Sequence, residues 1–435
     1  MEIRPWRICS TNLPSSRGRP PPLWKPAPNK PRPYAASWRP AARPASRPGS
    51  PFGNNSTRPG QRPTRRPIRG IHWPLGPEGR INMAPIRLGI VGCGAIAQVH
   101  HLPNLMSLQE EFEVAVLCDV SPGLAQAIAA DFNVPVWTTD YRELLDSDVE
   151  AVLLCQTDPK TDIAVEAFAA GKHVFIEKPM CFSLQEADRI IGAQQQAGTL
   201  GQMGYMKVFD PAYEIAREVV EGMDSIRFVQ VNHLHTGNEY HLRHLRLKKF
   251  DDIPASIPRP DRQTPLQQAL GPVEEDVAKA FFTLSGSMIH DLYGLRLMLG
   301  QPERVVSTEL WNGGRGINTV LAYANGARCT ASWVSLPGLW DFQESLQVYA
   351  EDQRAIVTYP TGFARGIPSG VVVQGVDSKG RSYRTEPAVE WENPFWRELR
   401  HFHACIRQGD VCRTPVDEAR ADIELIINIV KTYIS

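Results

Sequence analysis

Residues Gly92-Cys93-Gly94-Ala95-Ile96-Ala97 form a G-x-G-x-x-A run between an apolar strand-like segment, 86–91, and a helix-like one, 96–106. Gly92 permits a tight turn, Gly94 lets main chain approach a pyrophosphate, and Ala97 lets helix and strand touch. Ala95 and Ile96 open the helix, whose free amides and positive dipole end attract an anion. A glycine string alone is a weak signal, but here the strand, the helix and a downstream acid agree. That acid, Asp119, ends a second strand-like run, 113–118, where a carboxylate can accept hydrogen bonds from a ribose. Val120 and Ser121 follow it, with no Arg or Lys to neutralise a 2′-phosphate, so the pattern favours NAD over NADP. The plainer alternative is that Asp119 only opens the next turn.

A second constellation is Glu177-Lys178-Pro179, directly after an apolar strand at 173–176. An exposed Glu-Lys pair is ordinarily a solvated turn. Its position changes that judgement, because it falls at the carboxyl edge where doubly wound sheets bind ligands. A lysine there can polarise both a nicotinamide and a substrate hydroxyl, with Glu177 beside it. Thr157, after the third apolar run at 151–155, joins the expected cofactor-binding set.

The elements that must position these groups alternate. Ser121 can cap a helix at 122–132, with Pro122 at its first turn. Helices are expected at 159–170 and, after Ser183, at 184–196. Strands alternating with helices of this length predict a parallel, doubly wound α/β sheet over 85–205. Beyond residue 205 the alternation stops. Strand-like runs at 226–234, 304–310, 319–323, 328–334, 345–349 and 355–359 predict a second, α+β domain over 206–435 with an open, mainly antiparallel sheet. A long amphipathic pattern at 274–299 reads as helix broken near Gly286, and terminal helices are expected at 395–407 and 416–433. Residues 237–271 form a polar connection of a length that often covers a site.

Lys plus Arg and Asp plus Glu each total 47, so the formal net charge is zero. That average hides an Arg- and Pro-rich stretch, 1–84, whose only acids are Glu2 and Glu78. We expect it to be disordered, since proline removes donors and hydrated arginine buries little. It reads as an over-extended start ahead of Met83, a transit peptide, or a basic arm. The remainder is acidic, which argues against nucleic-acid binding by the folded part. Eight scattered cysteines contain no C-x-x-C pair, which suits a reducing cytosol rather than a disulfide framework or zinc site. No run of about eighteen apolar residues suggests a membrane span. The histidines at 233, 235, 241 and 244 invite a metal, but no partner motif accompanies them, so no metal is expected.

Gly92 to Ala97 with His100, the run Ala170-Gly171-Lys172-His173-Val174-Phe175-Ile176-Glu177-Lys178-Pro179, and Gly204-Tyr205-Met206-Lys207 with Asp210-Pro211 resemble the glucose-fructose oxidoreductase / inositol dehydrogenase / rhizopine catabolism (Gfo/Idh/MocA) family. The likeness extends over nearly all of 85–435. It implies an N-terminal Rossmann domain and a C-terminal α/β domain that often mediates oligomerisation, here as a homodimer or homotetramer. It also implies NAD(P)-dependent oxidation or reduction of a sugar, cyclitol or related polyol, with Lys178 as the catalytic lysine. The family's histidine precedes a Leu-Arg-x-x-Leu-Gly helix end, and His290 stands ten residues before Gly300 in that setting. An imidazole there suits proton transfer as hydride leaves the carbon. Tyr205, Lys207 and Asp291 are the expected substrate-binding residues.

Four positions depart from the family pattern. Gly286 and Gly294 stand where aspartates commonly flank the histidine at four residues either side, Asp162 replaces a histidine near the cofactor, and Val208 replaces an arginine. Asp291 is adjacent in sequence and points about 100° away from His290 on a regular helix. Two other functions therefore accompany the dehydrogenase: a catalytically silent NAD-binding regulator, and an NAD-dependent glycoside hydrolase that forms no net NADH.

Overall fold

Fourteen strands fall into two sheets in the computed structural model, which describes residues 84–434. The expectations for the Arg- and Pro-rich leader and for a start at Met83 lie outside the described residues. The first sheet comprises β1 (Ile86–Val91), β2 (Phe112–Cys118), β3 (Val136–Thr138), β4 (Ala151–Leu154), β5 (His173–Glu177) and β6 (Gly201–Gly204). Its order is β3-β2-β1-β4-β5-β6 and every pairing is parallel. Strand order reverses between β1 and β4, which opens a crevice at their carboxyl ends. β4 is buried at all four positions, as a strand covered on both faces must be.

Local signals behave as their chemistry requires. The Ser121 side chain accepts from Leu124 N and caps Pro122–Phe132, with Pro122 at the first turn. Ser183 and Glu186 form a reciprocal capping box at the start of Leu184–Ala197. The pattern after the glycine run is less regular than an α-helix: a π turn, Ala97–His101, precedes Leu102–Leu105.

The second sheet contains β7 (Ile226–His235), β8 (Arg304–Trp311), β9 (Gly316–Ala322), β10 (Arg328–Ser335), β11 (Gln343–Ala350), β12 (Gln353–Tyr359), β13 (Gly370–Val376) and β14 (Ser382–Thr385). Its order is β14-β13-β12-β11-β7-β10-β9-β8. Only β7 with β10 is parallel, so the sheet is mixed and mostly antiparallel. The helical stretch breaks where expected: Glu275–Thr283 and Ile289–Leu299 are joined by a π turn, Leu284–Met288, that contains Gly286.

One apolar cluster covers one side of the first sheet and includes Leu399 and Phe402 from the helix Pro394–Gln408. A larger one runs from the other side through Val416–Ile434 to the second sheet. Both sheets belong to the same compact unit. Among the described residues no helix is long and apolar enough to cross a membrane.

Candidate active site at the shared sheet edge

The glycine turn closes the crevice between β1 and β4. Gly92 has φ +93°, and a Cβ there would lie 2.4 Å from Gln156 N, so a side chain is excluded on two grounds. A Cβ on Gly94 would meet nothing within 4 Å, which leaves open space beside the main chain. Asp119 braces the turn: its Oδ2 accepts from Cys93 N at 2.8 Å and its Oδ1 from Ser121 N at 2.9 Å. Thr157 is exposed just beyond β4. A bare helix start, an open approach at Gly94 and a carboxylate at the end of β2 together fit a dinucleotide.

Lys178 leaves the end of β5 at the same edge, and its Nζ donates to Gly286 O at 2.8 Å. A π turn widens the helical hydrogen-bond register by one residue, and here a carbonyl of that turn accepts a side chain from the first sheet. Burial pulls the Lys178 ammonium below its ordinary pKa, with Lys160 adding repulsion and Glu177 and Asp158 opposing. Lys160 itself pairs with buried Asp158 and donates to Pro179 O.

His290 begins the helix that follows the π turn. Burial, then the Lys178, Lys207 and His233 charges, hold its pKa well below the ordinary histidine value. Its Nδ1 lies 2.8 Å from Tyr293 Oη, which also accepts from Lys207 N at 3.2 Å. Tyr293 is fully buried, and a phenol carries one proton. With Lys207 N–H already donated to it, that proton is satisfied only by giving it to His290 Nδ1. Neutral His290 then carries its hydrogen on Nε2, the nitrogen without a partner among the described residues.

Behind these groups lies a buried polar cluster that links the two sheets. Asp291 Oδ2 pairs with His233 Nδ1 at 2.9 Å rather than with His290, and His233 Nε2 meets His235 Nδ1 at 3.3 Å. Glu344 on β11 faces His233 across the sheet and pairs with the Lys207 ammonium. Trp333 on β10 stacks on His235 at 5.3 Å and donates from Nε1 to Ser287 Oγ at 2.9 Å.

The structure thus brings Lys178, Gly286 and His290 together and gives other expected contacts different places. Tyr205 is 1 % exposed, with its ring stacked on Tyr293 at 3.9 Å. This places it in the core, where it cannot hold a substrate hydroxyl. Lys207 is 4 % exposed and committed to Glu344. Asp291 is 3 % exposed and spent on His233. Glu177 turns inward, where its Oε1 meets His101 Nε2 at 2.6 Å. Glu398 packs near that pair, and burial, then the Glu177 charge, push its carboxyl well above the usual carboxylate range. Asp162 is a surface partner of Arg189 at 2.7 Å. Val208 is buried, and Arg413 from the far end of the chain reaches its carbonyl at 2.9 Å.

Sequence reasoning missed the roles of Tyr293, His233, Glu344 and Trp333, which come from four different elements. His401, Cys405 and Cys412 also converge, with ligand atoms within 4.8 Å of one another. Their His-x-x-x-Cys spacing on one helix was the available signal.

The sheet order and crevice define a Rossmann-type fold with a second, mostly antiparallel sheet. Residues 86–205 match the Gfo/Idh/MocA model, described as oxidoreductase family, NAD-binding Rossmann fold. Inositol 2-dehydrogenase of Salmonella typhimurium is 34 % identical over 146 residues, covering 31 % of this chain and 41 % of that protein. The scyllo-inositol 2-dehydrogenase (NAD(+)) of Bacillus subtilis is 28 % identical over 138 residues, covering 31 % and 40 %. The match thus spans about two fifths of these relatives' length. The crystal structure of a putative NADPH-dependent oxidoreductase from Desulfitobacterium hafniense superposes with TM-score 0.62 at 15 % identity, covering 80 % of this chain and 95 % of that one. At that identity the likeness is one of fold.

Proposed function

We propose that the protein is an NAD-dependent dehydrogenase that moves a hydride between nicotinamide and a ring hydroxyl or keto carbon of a sugar, cyclitol or related polyol. The observation that carries this reading is the meeting of an anion cradle, Gly92 to Ala97, with Lys178 and His290 at one sheet edge. Gly92, Gly94, Ala95, Ile96, Ala97, Asp119 and Thr157 would hold the dinucleotide. Bound there, a nicotinamide supplies the hydride acceptor or donor.

Lys178 directs an N–H toward the substrate oxygen and steadies the charge that gathers there, once a substrate competes with Gly286 O for its protons. His290, neutral at working pH, contacts the same oxygen through Nε2 and takes its proton in oxidation only in the tautomer that carries hydrogen on Nδ1. In the tautomer set by Tyr293 that nitrogen bears hydrogen and donates a hydrogen bond to a carbonyl oxygen. The proton consumed in reduction comes from the Lys178 ammonium, whose acidity burial raises. Oxidation needs Nδ1–H to donate to Tyr293 instead, and a phenol oxygen can accept as well as donate. The buried pairs Lys207–Glu344 and His233–Asp291 hold the cleft's floor in place. Exposed Phe228 and Trp311 on the second sheet support association into a homodimer or homotetramer, and the scattered free thiols support a cytoplasmic setting.

The test is a panel of polyols, aldoses, amino-sugars and nucleotide-sugars, with their keto forms, offered with NAD(H) and NADP(H). Net absorbance change with one of them is expected. Release of a sugar without net NADH would support the redox-neutral hydrolase, and no chemistry despite dinucleotide binding would support the silent regulator.

A further inference from the structure

The connection 237–271 does not stay with the second sheet. Its middle returns to the nucleotide half and is pinned there at three points. Gln98, one turn into the helix after the glycine run, pairs its side-chain amide with the main chain of Lys248: Lys248 N donates to Gln98 Oε1 at 2.9 Å, and Gln98 Nε2 donates to Lys248 O at 3.1 Å. The Lys248 ammonium reaches Asp131 at 2.6 Å on the helix Pro122–Phe132. Asp252 meets the start of that helix, where its Oδ2 accepts from Gly123 N at 2.7 Å and its Oδ1 from Ser121 Oγ. Residues 248–252 therefore bridge the two helix starts that flank the ribose end of the crevice.

Asp252 occupies a particular kind of place. The first turn of an eleven-residue helix offers unpaired amides and the positive end of a dipole. Beside the carboxylate that ends β2, those amides are what a ribose 2′-phosphate would use. Here a carboxylate of the chain has taken one of them, Gly123 N, together with the Ser121 hydroxyl, and Asp119 binds Ser121 N from the other side. Two anionic side chains thus bracket Ser121. Gly123 is required for this arrangement, because a Cβ there would lie 2.5 Å from Asp252 Oδ2 and 2.7 Å from Phe250 Cδ1. Lys248, the strap's anchored cation, is turned away to Asp131.

We infer that the strap 248–252 sets cofactor choice, with Asp252 excluding a 2′-phosphate by holding Gly123 N and the Ser121 hydroxyl and repelling its charge, so that the crevice takes NAD(H) and rejects NADP(H). This rests on the reading of the crevice as a nicotinamide-dinucleotide site. A 2′-phosphate carries nearly two negative charges near pH 7, and a carboxylate within a few ångströms repels it even through a high effective dielectric. A ribose hydroxyl meets no such repulsion and can donate to either carboxylate.

The experiment is fluorescence titration of the full chain with NADH and with NADPH, for the wild type and for Asp252→Asn, Asp252→Ala and Gly123→Ala. The wild type should bind NADH at least about tenfold tighter than NADPH. Asp252→Ala should narrow that ratio about tenfold, mainly by tightening NADPH, and Asp252→Asn should do so in part. Gly123→Ala, whose Cβ would displace the Asp252 carboxylate and the Phe250 ring without removing a charge, should also narrow the ratio. A ratio unchanged in all three variants, or a wild type that prefers NADPH through exposed Lys249, overturns the inference and leaves the dinucleotide site standing. Failure of the wild type to bind either dinucleotide overturns both.

Discussion

Lys178 Nζ and Gly286 O lie 2.8 Å apart although 108 residues separate them. This bond ties the edge of the parallel sheet to the π turn that launches His290. It also sets the ammonium on a main-chain acceptor that no side-chain change removes.

Replacing Lys178 by Ala should lower turnover by about 10²-fold or more while NADH affinity changes less than about threefold. Steady-state rates beside fluorescence titration will check this. Parallel loss of both would mean that the lysine only holds the cofactor.

Tyr293→Phe removes the proton given to His290 Nδ1 and the acceptor of Lys207 N–H. A buried donor left unsatisfied costs about 1–3 kcal/mol, so urea unfolding should register that loss. Turnover should fall in carbonyl reduction, because the histidine tautomer is no longer fixed. His290 itself is held neutral well below the usual histidine pKa. The wild-type rate should therefore show no histidine inflection near pH 6.5, and such an inflection that disappears in His290→Gln would contradict this.

His100 is 1 % exposed, and burial, helped by His101, pushes its pKa from 6.5 down to about 3. In the unfolded chain it regains the ordinary value, so between these pH values the unfolded state binds more protons. Its contribution is intact above about pH 6.5 and is lost as pH falls towards 3, amounting to about 2 kcal/mol at pH 5. Denaturant midpoints at pH 7 and pH 5 should differ in the wild type and differ by less in His100→Gln. His235, lowered to about 4 mainly by burial, adds in the same direction.

Two glycines should respond oppositely to alanine. At Gly286 a Cβ meets nothing within 4 Å, so Gly286→Ala should gain about 0.5–1 kcal/mol from reduced chain freedom. Gly92→Ala should lose more than that, with NADH binding, since its φ is +93° and its Cβ would strike Gln156 N. Thermal melts distinguish the two.

Much of this was legible in the sequence because local chemistry and tertiary demand agree there. Ser121 and Ser183 mark helix starts, the apolar runs at β1, β2, β4 and β5 mark buried parallel strands, and Gly286 marks the break in its helix. Short elements escaped: β3 has three residues, and β6, Gly-Gln-Met-Gly, is held by neighbours rather than by propensity. β13 and β14 were likewise missed. The site divided in the same way. Lys178 and His290 follow from motif and position, whereas Tyr205, Lys207 and Glu177 are chemically able residues whose partners, Tyr293, Glu344 and His101, arrive from distant elements. Asp252 had no motif at all. Its meaning depends on a loop crossing to a helix more than a hundred residues earlier, which no spacing encodes.

Every proposed role of Lys178 and His290 depends on a pyridine dinucleotide binding in the crevice. Titration of the purified chain with NADH, followed by the change in nicotinamide fluorescence, should give saturable binding that is lost in Gly92→Ala. Absence of saturable binding of NADH and NADPH to the wild-type chain would contradict it.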